Sequence, residues 1–150
     1  MDDAGHKALG IELFNFTWTL LDKKERSLEE DETMVHAAHA SRFHWSKVGK
    51  PVNFARGDWQ VSRVYSVLGR AEPALHHAQR VLAVCEEHGI GDFDLAFAHE
   101  ALARAYAVFG HRTKATEHLA RAKELTAAVK EADDREILEK DLATIVLPKN

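Results

Sequence analysis

The sequence predicts an all-α protein, and three observations carry that reading. Apolar residues recur at three- and four-residue spacing along most of the chain, as a buried helix face requires. The three prolines and eight glycines fall at boundaries between these periodic stretches, with no long linker among them. No stretch alternates apolar and polar residues convincingly, as a half-buried strand would.

About seven helices follow in order. The first is expected from about His6 to Lys24, with Leu9, Leu13, Phe16 and Leu20 on one stripe and Phe14, Trp18 and Leu21 on its neighbour. That width implies burial on two sides. Ser27 and Glu30 form a capping-box pattern that starts a second helix carrying Met34, Ala38, Ser41, Trp45 and Val48, until Gly49 and Pro51 stop it. The third, from about Phe54 to Leu68, presents Val61, Tyr65 and Leu68 and ends at Gly69. The fourth tolerates Pro73 in its first turn, presents Leu75, Ala78, Leu82 and Cys85, and ends at Gly89. Asp92 is the expected cap of a fifth helix that presents Leu95, Ala98, Leu102 and Phe109 before Gly110. Thr113 is the expected cap of the sixth, which carries Ala115, Leu119 and Ala122. Asp133 and Glu136 open a last helix with Ile137, Leu138, Leu142 and Ile145, whose apolar face suits a terminal cap.

The composition bounds what such a chain does. With 150 residues, 45% of them apolar, it suffices for one domain with a core. A net charge of −4 gives no overall basic character, so nucleic acid and anionic membrane are not expected partners. The lone Cys85 excludes an intramolecular disulfide, suits a reducing compartment and reads as a small buried hydrophobe. The opening MDDAGHKALG has neither a basic leader nor a long apolar run, so a cytoplasmic location is expected.

Shifting the chain by 41 residues aligns the segment from Ser62 with that from Ala103 at seven identical positions. They are Arg63/Arg104, Tyr65/Tyr106, Val67/Val108, Gly69/Gly110, Ala74/Ala115, His77/His118 and Arg80/Arg121. The types suit a repeated unit: an aromatic ring fills the space between helices, glycine permits a left-handed exit, and alanine allows close approach. The shared His77 and His118 point to a common packing or hydrogen-bonding task.

This pattern resembles the tetratricopeptide repeat, in which a glycine between paired helices follows an aromatic by four residues and precedes a small residue by five. Tyr65, Gly69 and Ala74 satisfy both offsets, as do Tyr106, Gly110 and Ala115, and Leu102 and Ala122 match further family positions where the first unit has Val61 and Val81. The period of 41 departs from the family's usual ~34. The likeness covers roughly Asp58 to Ala128, and the first two helices match only loosely through Trp45 and Gly49. It implies antiparallel hairpins stacked as a short right-handed α-solenoid, with an N-terminal helix pair over 1–50, two repeat units over 53–130 and a capping helix over 132–147.

By the same resemblance, the expected function is a module without catalytic activity that holds a protein or peptide in a groove. No phosphate loop, nucleophile elbow or paired-cysteine motif argues for an enzyme. A two-residue step turns a helix by about 200°, so if Tyr65 and Tyr106 pack inward, Arg63 and Arg104 project the other way. Arg56, Trp59, Gln60 and Arg63 then mark one exposed face, and Phe97, Glu100 and Arg104 its counterpart. In the related stacks these first helices line the groove, so the resemblance makes Arg63 and Arg104 anion clamps for an acidic or C-terminal carboxylate group and Trp59 and Phe97 apolar contacts. The plainer reading is that Arg104 pairs with Glu100 one turn away while Arg63 covers Trp59. Trp18 and Trp45 fall on apolar stripes and read as core anchors. Self-association through an exposed end of the stack is a third expectation.

A competing class is a metal-binding protein or metal-dependent enzyme. Glu32, His36 and His39 share one helix face, with His44 displaced and His99 and Glu100 available from the fifth helix, a set suited to zinc or another divalent metal. No established metal motif accompanies them, so no cofactor is the favoured reading.

Overall fold

Seven helices and no strands make up residues 1–149, which the computed structural model describes. They are α1 (Asp3–Leu21), α2 (Leu28–Val48), α3 (Pro51–Val67), α4 (Ala71–His88), α5 (Asp92–Phe109), α6 (Arg112–Ala127) and α7 (Ala132–Leu142). Each packs on the next, and α1, α3, α5 and α7 also touch in that order, giving a helical stack with an odd-helix face.

The turns explain the repeat. Gly69, Gly89 and Gly110 all have positive φ, at 74°, 63° and 84°. After each, the next amide N–H donates back to a carbonyl five residues earlier: Arg70 to Tyr65, Ile90 to Cys85 and His111 to Tyr106, all at 2.9 Å. The tyrosine of each repeat thus closes its own helix through its backbone. Three further glycines lie within helices, against the boundary expectation: Gly5, Gly10 and Gly57. A Cβ at Gly10 would stand 2.9 Å from the Trp45 indole nitrogen, and one at Gly57 2.6 Å from Arg42 Cδ, so both let α2 side chains lie close against a neighbouring helix.

Helix starts agree less well than helix ends. The Ser27/Glu30 capping box is present, with Glu30 N–H donating to Ser27 Oγ and Ser27 N–H to Glu30 Oε1. Pro51, expected to stop α2, is instead the first residue of α3. Asp92 does not cap α5: Gly91 precedes the helix, Asp92 has φ 54°, and its carboxylate accepts the Lys130 N–H instead. His111, not Thr113, caps α6 through Nδ1, and α7 begins after Glu131, ahead of the Asp133 expectation.

The core is built mainly of small residues. Met34, Ala38, Val61, Val64, Ala74, Ala78, Ala101, Leu102 and Ala105 bring α2 to α5 together, and Val81, Val84, Cys85 and Ala98 extend the packing between α4 and α5. Cys85 is buried, and burial pushes its thiol up to about 11, as suits an inert core residue. Phe16 and Phe109, assigned to inward stripes, are instead 41% and 56% exposed, and Ile145 lies beyond the end of α7. No helix among the described residues is long and apolar enough to cross a membrane.

Candidate functional site

The odd-helix face carries an aromatic chain that crosses three helices. Trp18 of α1 lies against Trp59 of α3 with centroids 5.6 Å apart, Trp59 meets Phe97 of α5 edge-on at 4.9 Å, and Phe97 meets Phe93 at 4.8 Å. These rings wall a cavity of about 420 Å³. Phe14, Ala55 and Val81 add to the apolar lining beside them, and α7 contributes Ile137 and Asp141. Ile137 is 49% exposed, so the cavity border carries a large apolar side chain open to solvent. The indole N–H of Trp59 is buried with no acceptor among the described residues, a state that costs about 1–3 kcal/mol.

Beside the cavity stands a buried charge network. Glu100 is fully buried, and its Oε1 accepts from Arg63 Nη2 at 2.6 Å and from Arg104 Nε at 3.3 Å. Arg63 reaches Asp141 of α7 at 3.0 Å, and Arg104 donates to the Asp141 carbonyl and to Thr144 Oγ1. Two arginines and two carboxylates therefore tie α3, α5 and α7 together. Burial works against the charge of Arg63, but Glu100 and Asp141 overcome it and raise its pKa. Arg104 has its pKa lowered, first by burial and then by the adjacent Arg63.

This corrects the anion-clamp expectation. The Arg63 and Arg104 side chains are only 10% and 14% exposed, and both are bonded to Glu100 inside the protein. The plainer alternative describes them: Arg104 pairs with Glu100, and the Arg63 guanidinium lies 5.1 Å from the Trp59 ring centroid. Gln60 and Glu100, placed on the exposed face, are fully buried; Gln60 donates to the Phe14 carbonyl of α1. The expected open face fails because α1 and α7 lie against α3 and α5. Arg56 alone of the seven is exposed, and Asp94 holds it through two hydrogen bonds of 2.9 and 3.2 Å. Trp59, Phe97 and Arg56 do line the cavity, joined by Phe14, Trp18 and Phe93. Trp18, read as a core anchor, packs partly buried against Trp59 and also lines the cavity, a second role that periodicity does not reveal.

The four histidines of the metal alternative are not brought together. His44 Nδ1 lies 2.9 Å from His6 Nδ1, His39 Nε2 lies 2.8 Å from Tyr65 Oη, and His99 Nδ1 lies 3.0 Å from His118 Nδ1. His36 is exposed on α2. Three of the four histidines thus serve three separate contacts, and no group of three metal-ligating side chains occurs among the described residues.

The paired histidines do share a task. His77 is hydrogen-bonded to Asp58 at 2.9 Å and stacks on Tyr65; His118 is bonded to His99 and stacks on Tyr106 with rings 5° from parallel. Burial works to raise the pKa of Asp58, but bonds from His77 and Arg42 outweigh it and hold that pKa below the usual carboxylate range. Burial, with the neighbouring His118 and Arg121, lowers His99 to about 4. His118 is lowered too, first by burial and then by Lys114.

No family model, curated protein or solved structure matches this chain.

Proposed function

We propose that the protein is a non-catalytic binding module that takes up large apolar side chains of a partner protein or peptide in the cavity on its odd-helix face. One observation carries the reading: about 420 Å³ of space walled by five aromatic rings, with a half-exposed isoleucine on its border. Aromatic-lined concavities of this size are common ligand sites. The tetratricopeptide-like repeat pattern supports a partner that is a polypeptide, since stacks of that kind present such faces to extended chains. The arginines contribute by fixing the wall rather than by touching the partner.

A random peptide library selected on the immobilised protein tests this, with selected peptides then measured by calorimetric titration. The expected peptides carry large apolar residues, and both Trp59→Ala and Ile137→Glu weaken them by about tenfold or more. Ile137 is half exposed, so its variant should fold normally and separates lost binding from lost structure. Peptides that bind both variants as tightly as the wild type would refute the proposal, as would a library that yields none.

A further inference from the structure

The charge around the cavity differs from what the repeat arginines suggest in the sequence. Arg56 lines the cavity, Arg63 and Arg104 stand in the buried network beside it, and each is already bonded to a carboxylate. Glu100 and Asp141 neutralise Arg63 and Arg104, and Asp94 neutralises Arg56. A fourth carboxylate remains. Asp134 lies three residues before Ile137 and seven before Asp141 on α7, so all three share one helix stripe, and the last two border the cavity. Asp134 is partly exposed, makes no direct ion pair among the described residues, and acts only through space on Arg56, a cation that Asp94 already holds. The cavity therefore offers an apolar aromatic interior, and beside it two carboxylates, Asp94 and Asp134, share the single cation of Arg56, which leaves an excess of negative charge.

From this we infer that the segment the cavity receives is basic: a partner peptide that inserts apolar side chains between Trp59 and Ile137 and sets a lysine or arginine beside Asp134. The inference rests on the binding reading above and sharpens it. An acidic peptide or a chain-terminal carboxylate meets no free cation at this border, because every arginine there is engaged, and it meets Asp134 as a like charge. A basic flank gains from Asp134 without breaking an existing pair. The Trp18 ring favours the same sign, since an indole face attracts cations, while Arg63 already covers the Trp59 ring.

Three synthetic peptides with one leucine pattern and lysine, glutamine or glutamate at the remaining positions test the inference. They are titrated into wild type, Asp134→Asn and Trp59→Ala protein while tryptophan fluorescence is followed. The lysine peptide is expected to bind the wild type most tightly and the glutamate peptide least. Asp134→Asn should reduce the lysine-over-glutamine preference by about two- to fivefold and leave the glutamine peptide unchanged. Trp59→Ala should weaken all three. If Asp134→Asn leaves the lysine preference intact, or the glutamate peptide binds best, the inference is overturned while the binding reading stands on the Trp59 result. If no peptide binds, or Trp59→Ala affects none of them, the binding reading fails and the inference falls with it.

Discussion

The hairpins α3–α4 and α5–α6 share one scaffold, and two adjacent positions among those at which they differ set their roles apart. Tyr65 and Tyr106 close their helices with the same backbone bond, Gly69 and Gly110 take the same left-handed turn, and His77 and His118 stack on the tyrosines. At the 41-residue offset, however, Asp58 faces His99 and Trp59 faces Glu100. In the first hairpin the histidine partner is a carboxylate, and the residue one turn before the repeat arginine is an indole beneath its guanidinium. In the second the histidine partner is another histidine, and the residue one turn before the arginine is a buried acid. Both arginines hold Glu100, but Arg63 reaches it from the neighbouring helix while covering the Trp59 ring of its own helix, whereas Arg104 holds it as the acid one turn before it. Repetition supplies the frame, and these two substitutions separate a binding wall from a lock.

The largest effect that would break this comparison comes from Glu100. Glu100→Ala leaves Arg63 and Arg104 beside each other and largely buried, and should lower stability by about 3–5 kcal/mol in a denaturant titration. The equivalent Trp59→Ala should cost less, about 2 kcal/mol, because the indole already has space on its cavity side. Equal losses at the two sites would remove the distinction between lock and wall.

Acid should separate the hairpins next. His99 has its folded pKa depressed to about 4 from 6.5, so the unfolded chain takes up its proton first. Its contribution is complete above about pH 6.5 and is lost as the pH falls toward 4, by about 1–2 kcal/mol given that the ring is partly solvent-screened. His118, also lowered, acts in the same direction. His99→Asp recreates the Asp58–His77 pairing in the second hairpin and should flatten that decline in melts recorded across the interval. An unchanged slope would show that the histidine pair does not set the acid response.

Smaller and equal effects are expected at the turns. Nothing lies within 4 Å of a Cβ at Gly69 or Gly110, so alanine at either costs only the left-handed backbone, about 1 kcal/mol each by thermal melting. Unequal values would show that the two turns are not equivalent. Arg56→Ala removes a pair whose arginine is 52% exposed and should cost under about 1 kcal/mol.

What the sequence made legible follows from local physics. Helix ends at Gly69, Gly89 and Gly110 depend on one backbone conformation that glycine alone adopts cheaply, and the common role of His77 and His118 depends on a fixed offset. Cap assignments at Asp92 and Thr113 failed because capping side chains have competitors: Asp92 accepts the Lys130 N–H instead, and His111 supplies the cap two residues early. The site was half legible. Trp59 and Phe97 could be placed by helical phase, but the burial of Arg63, Gln60 and Glu100 depends on α1 and α7 closing over them. The bond from Arg63 to Asp141 spans 78 residues, and no periodic pattern announces it.

The central claim is that the repeat arginines are structural, and melting of Arg63→Ala and Arg104→Ala tests it most directly. Each arginine holds a fully buried carboxylate, so each variant should lose about 2–4 kcal/mol and melt roughly 5–15 °C below the wild type. Melting temperatures unchanged in both variants would contradict the account and return the two arginines to the role of free anion clamps.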